Sequence, residues 1–350
     1  MGGGRVLRVV RVRSGYRLDG DGEAVVVANR FLDHLRVRAF AAATVRAYAF
    51  DVLSFLRFCD ERELALVDVV PMDVFDFLDW LGRPRRSDGV VVAIRARRGA
   101  TPATMNRRIA GVRALFEFAV LAGVCDANPV PAARRATGLR PKRRGLLGHV
   151  STGKPRGGGR LVRQPQRLPE SLAPDEVAAF VADLGTHRDR AMALAMLLGG
   201  LRAGEVRSLR LADVDVGARR VRVVGKGGRE RVVPVERAFF SEVTAYLRKE
   251  RPRECRTAEC FVVLRGPTTG QPLTEAGLRR IFRTHRSRSG ATRVRPHRLR
   301  HTYGTELAAA GIDLLVLREL MGHASPETTA GYVHLSADTL AEEYAKANRR

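Results

Sequence analysis

Residues 297–311 read HRLRHTYGTELAAAG, directly after a proline at position 296. Pro296 suits the first turn of a helix, whose N–H groups lack intrahelical partners, so a helix is predicted to begin there. His297 and Arg300 then lie three positions apart on one face. Apolar anchors for another side of the helix are Leu299, Tyr303 and Leu307. The first face offers an imidazole and a guanidinium fork that matches two phosphate oxygens, although alone it equally fits a solvated basic helix face.

A second stretch, residues 320–334, reads LMGHASPETTAGYVH. Gly322 is predicted to end one helix, and Ser325 to cap the next, with Pro326 in its first turn. Tyr332 would then lie about two turns into that helix. A tyrosine in such a place is, taken by itself, usually a core or surface residue.

Two further segments come earlier, GLRAGEV at 200–206 and VVGKGGRERVVPV at 223–235. The first predicts a turn into a helix start, which puts Arg202 beside unpaired backbone N–H groups in a favourable position for an anion. The second alternates valine with polar residues around glycines, so it predicts a β-hairpin with Lys226 at its tip. Each residue alone also fits a surface side chain in an arginine-rich chain.

In their order and spacing, the four segments together resemble the catalytic motifs of the tyrosine recombinase (phage integrase-like) family. The resemblance is close over about 169–344 and looser over about 25–130. It implies that the chain cuts and rejoins DNA through a transient covalent bond. The implied catalytic set consists of Arg202, Lys226, His297, Arg300, His323 and Tyr332.

The resemblance also implies a role for each residue at the scissile phosphate. Arg202 and Arg300 would clamp its non-bridging oxygens, and His323 would hydrogen-bond it. Tyr332 would attack the phosphorus, leaving a 3′-phosphotyrosyl link and a free 5′-hydroxyl. Positive groups aimed at developing negative charge can take the place of a metal ion, and the covalent link stores the bond energy. Neither a metal, a cofactor nor ATP is therefore expected.

Proton transfer decides the remaining two roles. An unperturbed tyrosine has a pKa near ~10, so it must be helped to lose its proton at neutral pH. Arginine keeps its proton, which leaves lysine and histidine for the transfers. The resemblance implies that His297 helps to remove the proton of Tyr332 and later returns it. Lys226 would donate a proton to the leaving 5′ oxygen.

The chain is predicted to be mainly α with a small antiparallel β-sheet, in two domains. Residues 1–24 are rich in glycine and arginine and are predicted to be flexible. Residues 131–168 carry many arginines and no acidic residue, which predicts a basic interdomain linker. The resemblance implies a two-domain DNA clamp. Its parts would be a helical, SAM-like core-binding domain at 25–130 and a catalytic domain with a C-terminal helix at 169–350.

Charge and composition point to the partner. Lysine and arginine number 62 against 37 aspartates and glutamates, a formal net charge of +25. This excess predicts a polyanionic partner, either nucleic acid or an acidic membrane surface, although arginine-rich codon usage also explains part of it. No apolar run reaches the ~18 residues that span a bilayer, and the four scattered cysteines fit reduced thiols, so a cytoplasmic protein without membrane contact is expected.

The resemblance implies double-stranded DNA with paired recombination sites, four protomers in the synaptic complex, and accessory DNA-bending or directionality factors. The long linker and the insertion at 82–100 exceed those of compact Xer-type members. They favour an integrase or transposase of a mobile element over chromosome or plasmid dimer resolution. No long arm-binding domain is expected before position 25, which disfavours a lambda-like arrangement.

Three functions of other kinds remain as alternatives. A type IB topoisomerase shares the chemistry but needs no paired sites. A DNA-binding protein that has lost catalysis would keep the charge without the reaction. A metal-dependent nuclease is the weakest of the three, because no clustered carboxylates accompany the histidines.

Overall fold

Two compact units, Met1–Gln166 and Arg167–Arg350, make up the chain in the computed structural model. The residues that the structure describes are 7–13, 15–83, 99–131, 161–163, 171–225 and 228–323. Within them helices predominate, and the strands form small antiparallel sheets, of two strands in the first unit and three in the second. The predicted fold class is therefore confirmed. Most of the predicted linker, 131–168, lies outside the described residues, so its character stays a prediction.

The first unit opens with a β-hairpin, where the sequence predicts a flexible segment over 1–24. β1 (Arg8–Val12) pairs with β2 (Gly15–Asp19). Leu18 is buried in the core, and its backbone exchanges two hydrogen bonds with the Asn29 side chain, at 2.9 and 3.0 Å. The prediction of flexibility is wrong for these two strands, because this contact fixes them to the helices that follow.

Four α-helices follow among the described residues of this unit: α1 (Glu23–Val37), α2 (Ala42–Glu61), α3 (Pro71–Gly82) and α4 (Pro102–Leu121). α4 begins after Thr101, whose Oγ1 accepts a hydrogen bond from the Thr104 amide at 3.4 Å and so caps the helix N-terminus. It ends just before Gly123, whose φ of 69° suits glycine. The rings that pack together between α2, α3 and α4 are Phe55, Phe58, Phe77, Trp80 and Phe116.

The second unit holds seven α-helices and three strands among its described residues. The helices are α5 (Pro174–Asp183), α6 (His187–Leu198), α7 (Ala203–Ser208), α8 (Arg237–Lys249), α9 (Glu275–Arg288), α10 (Pro296–Ala309) and α11 (Leu314–Met321). The strands are β3 (Val214–Asp215), β4 (Arg220–Val224) and β5 (Glu230–Pro234), in that order across the sheet. The hairpin predicted from the valine alternation is thus confirmed as β4 and β5.

Packing around α6 and the hairpin sets the positions of the site residues. α6 lies against α8 and α10, and α11 lies against α10 and β5. The hairpin turns one face to the core, with buried valines at Val221, Val223 and Val233. Arg231 shares that inward face and is buried with them. α11 ends at Gly322 with a φ of 59°, as the sequence predicts.

Candidate active site

Arg202 stands at the start of α7, where the chain leaves the turn after α6. Its backbone N–H donates to Glu205 Oε2 at 2.8 Å, and its Nη1 donates to Glu205 Oε1 at 2.7 Å. Its Nη2 donates to the carbonyl of Gly322 at 2.8 Å. The Arg202 side chain keeps 37% of its surface exposed, so it can also reach a ligand.

Arg300 reaches the same place from α10. Arg300 is only 7% exposed, and its guanidinium donates from Nη1 to the carbonyl of Gly200 and from Nη2 to the carbonyl of Met321. These bonds draw three segments together, the turn before α7, the helix α10 and the end of α11. The structure therefore brings Arg202 and Arg300, predicted from motifs about one hundred positions apart, to one location.

Glu205 and Arg231 form a buried ion pair, and Glu205 also contacts Arg202. Arg231 donates from Nη1 to Glu205 Oε1 at 3.0 Å and from Nη2 to Glu205 Oε2 at 2.9 Å. Burial opposes ionisation of the carboxyl, but the hydrogen bonds from Arg231 and from the Arg202 amide outweigh it and lower the pKa of Glu205 to about 2. Glu205 is therefore ionised at every working pH and carries a fixed negative charge among the arginines.

Three histidines complete the described part of the site. Burial, followed by the charges of Arg300 and Arg202, lowers the pKa of His323 to about 4. Burial is also the main cause that lowers the pKa of His297, with Arg295 and then Arg298 adding to it. The pKa of His301 is lowered as well, first by burial. All three imidazoles are hence neutral near pH 7, and a neutral imidazole can accept a proton.

A cavity of about 890 Å³ opens beside these side chains. Four of the six predicted catalytic residues line it, Arg202, His297, Arg300 and His323. Its lining holds six arginines and one glutamate, so its field is strongly positive. An anion with several oxygens, such as a phosphodiester, is the ligand that this lining suits best.

The other two predicted residues, Lys226 and Tyr332, lie outside the described residues. The last described residues before them nevertheless show where the chain leads toward each one. A Cβ built on Gly225 would lie 3.7 Å from both Glu205 Oε1 and Arg231 Nη1, so the chain enters the Lys226 turn beside this pair. Tyr332 follows His323, which lines the cavity, by nine positions.

Sequence reasoning missed one wall of the cavity. The arginines of α9 that line it are Arg279, Arg283 and Arg286, which lie outside the four predicted motifs. Their spacing of four and three positions puts them on one helix face, while Leu278 and Phe282 are buried. That periodic basic face in RRIFRTHR was the signal available in the sequence. Arg231 was missed too, because a strand arginine reads as solvent-facing until its strand's inward face is known.

Two absences concern the described residues alone. No helix among them is both long and apolar enough to cross a bilayer. In the same part of the chain, no group of three or more His, Cys, Asp or Glu side chains is placed to hold a metal ion.

Comparisons with known proteins show the family to which the chain is related. The sequence matches the model of the phage integrase family over residues 170–339, and that of the phage integrase N-terminal SAM-like domain over 28–123. Tyrosine recombinase XerD of Mycobacterium tuberculosis (strain CDC 1551 / Oshkosh) is 32% identical over 336 residues, covering 91% of this chain and 96% of that protein. Tyrosine recombinase XerC of Rhodospirillum centenum (strain ATCC 51521 / SW) is 32% identical over 339 residues, covering 94% and 87%.

Two solved structures share the fold. The XerH site-specific recombinase bound to a palindromic difH substrate has a TM-score of 0.60 at 17% identity, covering 93% of this chain and 89% of that one. The integrase of transposon Tn1549 in complex with a circular intermediate DNA has a TM-score of 0.60 at 16% identity, covering 91% and 99%. At these identities the structures support the fold.

Proposed function

The chain belongs to the phage integrase family of tyrosine recombinases, and we propose that Tyr332 is the nucleophile with which it breaks and rejoins DNA. It is a DNA breaking–rejoining enzyme that carries out site-specific recombination. The observation that carries the residue assignment is the shared cavity, whose lining includes Arg202, His297, Arg300 and His323. These are the groups that a reaction at a single phosphate requires close together.

Chain connectivity supports the two residues outside the described part. Nine residues of fully extended chain span at most about 30 Å, so Tyr332 remains tethered to the cavity that His323 lines. Lys226 is one residue from Gly225, on which a built Cβ would lie 3.7 Å from Glu205 Oε1. Both residues can therefore act on a phosphate held by the two arginines.

The proposed reaction is an in-line exchange at phosphorus. The Tyr332 oxygen forms a bond to the phosphorus while the bond to the 5′ oxygen breaks. His297, neutral because its pKa is lowered, accepts the phenol proton, and Lys226 donates a proton to the departing 5′ oxygen. Arg202 and Arg300 stabilise the negative charge that grows on the non-bridging oxygens. Attack by the 5′-hydroxyl on the phosphotyrosine reverses each transfer and reseals the strand.

A nicked DNA substrate tests the assignment, because the short strand diffuses away after cleavage and traps the covalent complex. We expect trapping with the wild-type protein in the presence of EDTA, and none with Tyr332→Phe, which should still bind DNA. Tyr303→Phe is the matched control. Tyr303 is buried and its pKa is raised, chiefly by burial, so it is a poor nucleophile despite its place on α10. If Tyr332→Phe forms the complex, or Tyr303→Phe fails to, the assignment is wrong.

The partners and the biological role extend the proposal. Double-stranded DNA is the substrate, and we propose that four copies of the chain act on paired sites, with accessory factors setting direction. We also propose that the protein works in the cytoplasm, in keeping with cysteines that are free where the structure describes them. The linker and the insertion at 82–100 support a mobile-element integrase, while the XerC and XerD relatives support dimer resolution as the alternative.

An assay on plasmids separates the two roles. One plasmid with two directly repeated sites reports resolution, whereas two plasmids with one site each report integration. A mobile-element integrase is expected to join the separate molecules. Resolution without any joining would instead favour the Xer-type role.

A further inference from the structure

Three arginine side chains hold three consecutive carbonyls at the end of α11. Arg231 Nε donates to the carbonyl of Leu320 at 2.9 Å, and Arg202 Nη2 donates to that of Gly322 at 2.8 Å. Arg300 donates to the carbonyl between them, that of Met321. The last carbonyls of a helix have no intrahelical partner and carry partial negative charge, so these donors fix the helix end firmly.

Of these three arginines, Arg231 is the one to which the family resemblance assigns no catalytic role. Strand alternation puts it on the inward face of β5, in line with buried Val233, and its side chain is only 6% exposed. Each of its three nitrogens donates a hydrogen bond, two to Glu205 and one to Leu320. A buried arginine without enough partners is costly, so this complete pairing marks a fixed position.

Glu205 connects Arg231 to the phosphate-binding side chain. Its carboxylate accepts four hydrogen bonds, two at each oxygen, half of them from Arg231 and half from Arg202. With Arg231 present, the three charged groups sum to one positive charge, which remains for a phosphate. Without Arg231, the Glu205 charge would be balanced by Arg202 alone, and the Arg202 guanidinium would be drawn toward the carboxylate.

The backbone at the helix end is shaped around the same guanidinium. Gly322 has a φ of 59°, and a Cβ built on it would lie 2.8 Å from Arg231 Nη1. A side chain at Gly322 would therefore displace Arg231 or the helix end. The next residue along the chain is His323, which lines the cavity.

We propose that Arg231 is a positioning residue for strand cleavage, which orients Arg202 through Glu205 and fixes, through the Leu320 carbonyl, the helix end from which the chain runs to His323 and Tyr332. This inference rests on the proposed role of Tyr332. Arg231 itself does not touch the phosphate. Its loss misplaces the groups that do.

The test measures the rate of covalent complex formation on nicked DNA at saturating DNA, together with DNA affinity and thermal stability. A misplacement of about 1 Å in reacting groups can cost on the order of 10²-fold in rate, so we expect a loss of that size for Arg231→Gln, with DNA affinity retained. Arg231→Lys should recover part of the rate, since its ammonium keeps the charge but cannot bond both Glu205 oxygens and Leu320. Arg222→Gln is the matched control, because Arg222 lies on the neighbouring strand with its side chain 51% exposed.

A double variant separates positioning from simple stabilisation. The double variant with Glu205→Gln and Arg231→Gln removes the buried carboxylate charge that Arg231→Gln alone leaves without this partner. Stability should therefore return, while the rate of covalent complex formation stays low. Recovery of stability and rate together, or a wild-type rate for Arg231→Gln at saturating DNA, overturns the inference. Tyr332→Phe is assayed alongside. If it still forms the complex, the nucleophile assignment fails, whereas an inactive Tyr332→Phe beside a fully active Arg231→Gln sinks this inference alone.

Discussion

Gly200 lies against the ring of Tyr303, so closely that a Cβ built on Gly200 would come within 2.6 Å of Tyr303 Cε1. Gly200 also has a φ of 60°, in the left-handed region. Its carbonyl accepts a hydrogen bond from Arg300. The turn between α6 and α7 therefore depends on the absence of a side chain, and the position of Arg300 depends on that turn.

We expect Gly200→Ala to destabilise the second unit by at least about 2 kcal/mol, because strain at positive φ and overpacking each cost roughly 1–3 kcal/mol. Gly204→Ala is the control: it lies within α7 with open space around it, and alanine favours a helix by up to about 1 kcal/mol. Urea unfolding followed by circular dichroism measures both. The fluorescence of Trp80, the chain's one tryptophan, reports the first unit and should not change.

Replacing each phosphate-binding arginine by lysine should separate stability from catalysis. Both Arg300→Lys and Arg202→Lys are expected to slow cleavage, by roughly 10²–10³-fold, as loss of a charge-stabilising donor does. Arg300→Lys should also lower stability by about 1–3 kcal/mol, because it leaves a buried carbonyl unpaired. Arg202→Lys should lower stability by less, because the Arg202 side chain is more exposed. Equal stability losses in urea unfolding would contradict the different burial of the two side chains.

DNA binding should raise the pKa of His323. In the folded protein this pKa is about 4, below the ordinary 6.5, so the neutral imidazole contributes stability above pH 6.5 that is lost as pH falls toward 4. A bound phosphate opposes the positive field of Arg300 and Arg202, so binding at pH 5.5 should take up protons. Calorimetry in buffers of different ionisation enthalpy counts them. His323→Gln should reduce the uptake, and an unchanged count would contradict the prediction.

A sulfur leaving group tests the proposed acid role of Lys226. Lys226→Ala should slow cleavage of ordinary DNA by roughly 10²–10⁴-fold, the usual contribution of a general acid. A substrate with sulfur in place of the bridging 5′ oxygen needs no proton to leave, so the variant should cut it at nearly the wild-type rate. Arg202→Lys serves as the comparison, since its defect concerns the non-bridging oxygens and should persist.

The basic face of α9 should contribute to DNA affinity through phosphate contacts. Arg283→Ala is expected to weaken binding about equally for all sequences and to reduce the slope of log affinity against log salt by about one. Arg280→Ala is matched to it, because Arg280 is an exposed neighbour on α9 that lines a different cavity. The same slope change in both variants would show that the face of α9 that lines this cavity makes no more phosphate contacts than the neighbouring face.

Local signals in the sequence identified much of the second unit. Pro296 at the start of α10, Gly322 at the end of α11 and the alternating valines of β4 and β5 each act through backbone chemistry a few residues away. Those signals, and the order of the motifs, were enough to select four residues that line one cavity.

Contacts between residues far apart in the sequence could not be predicted from such local signals. That Arg231 points inward depends on which face of the hairpin meets the core, which a register shift of one residue would reverse. Nothing local indicates that Glu205 and Leu320 would be its partners. The hairpin within the predicted flexible segment was missed for the same reason, because it is held by Asn29, a residue of the next helix.

The bond between Leu18 and Asn29 has a practical consequence for anyone dissecting this protein. A chain trimmed to begin at position 25, where the helical pattern starts, would lose β2 and uncover the apolar surfaces of α1 and α2 on which Leu18 packs. The trimmed protein is expected to aggregate, and weak DNA binding by it would then result from aggregation rather than from the loss of a DNA-binding arginine. Keeping residues 7–24 attached is therefore the safer way to isolate the first unit.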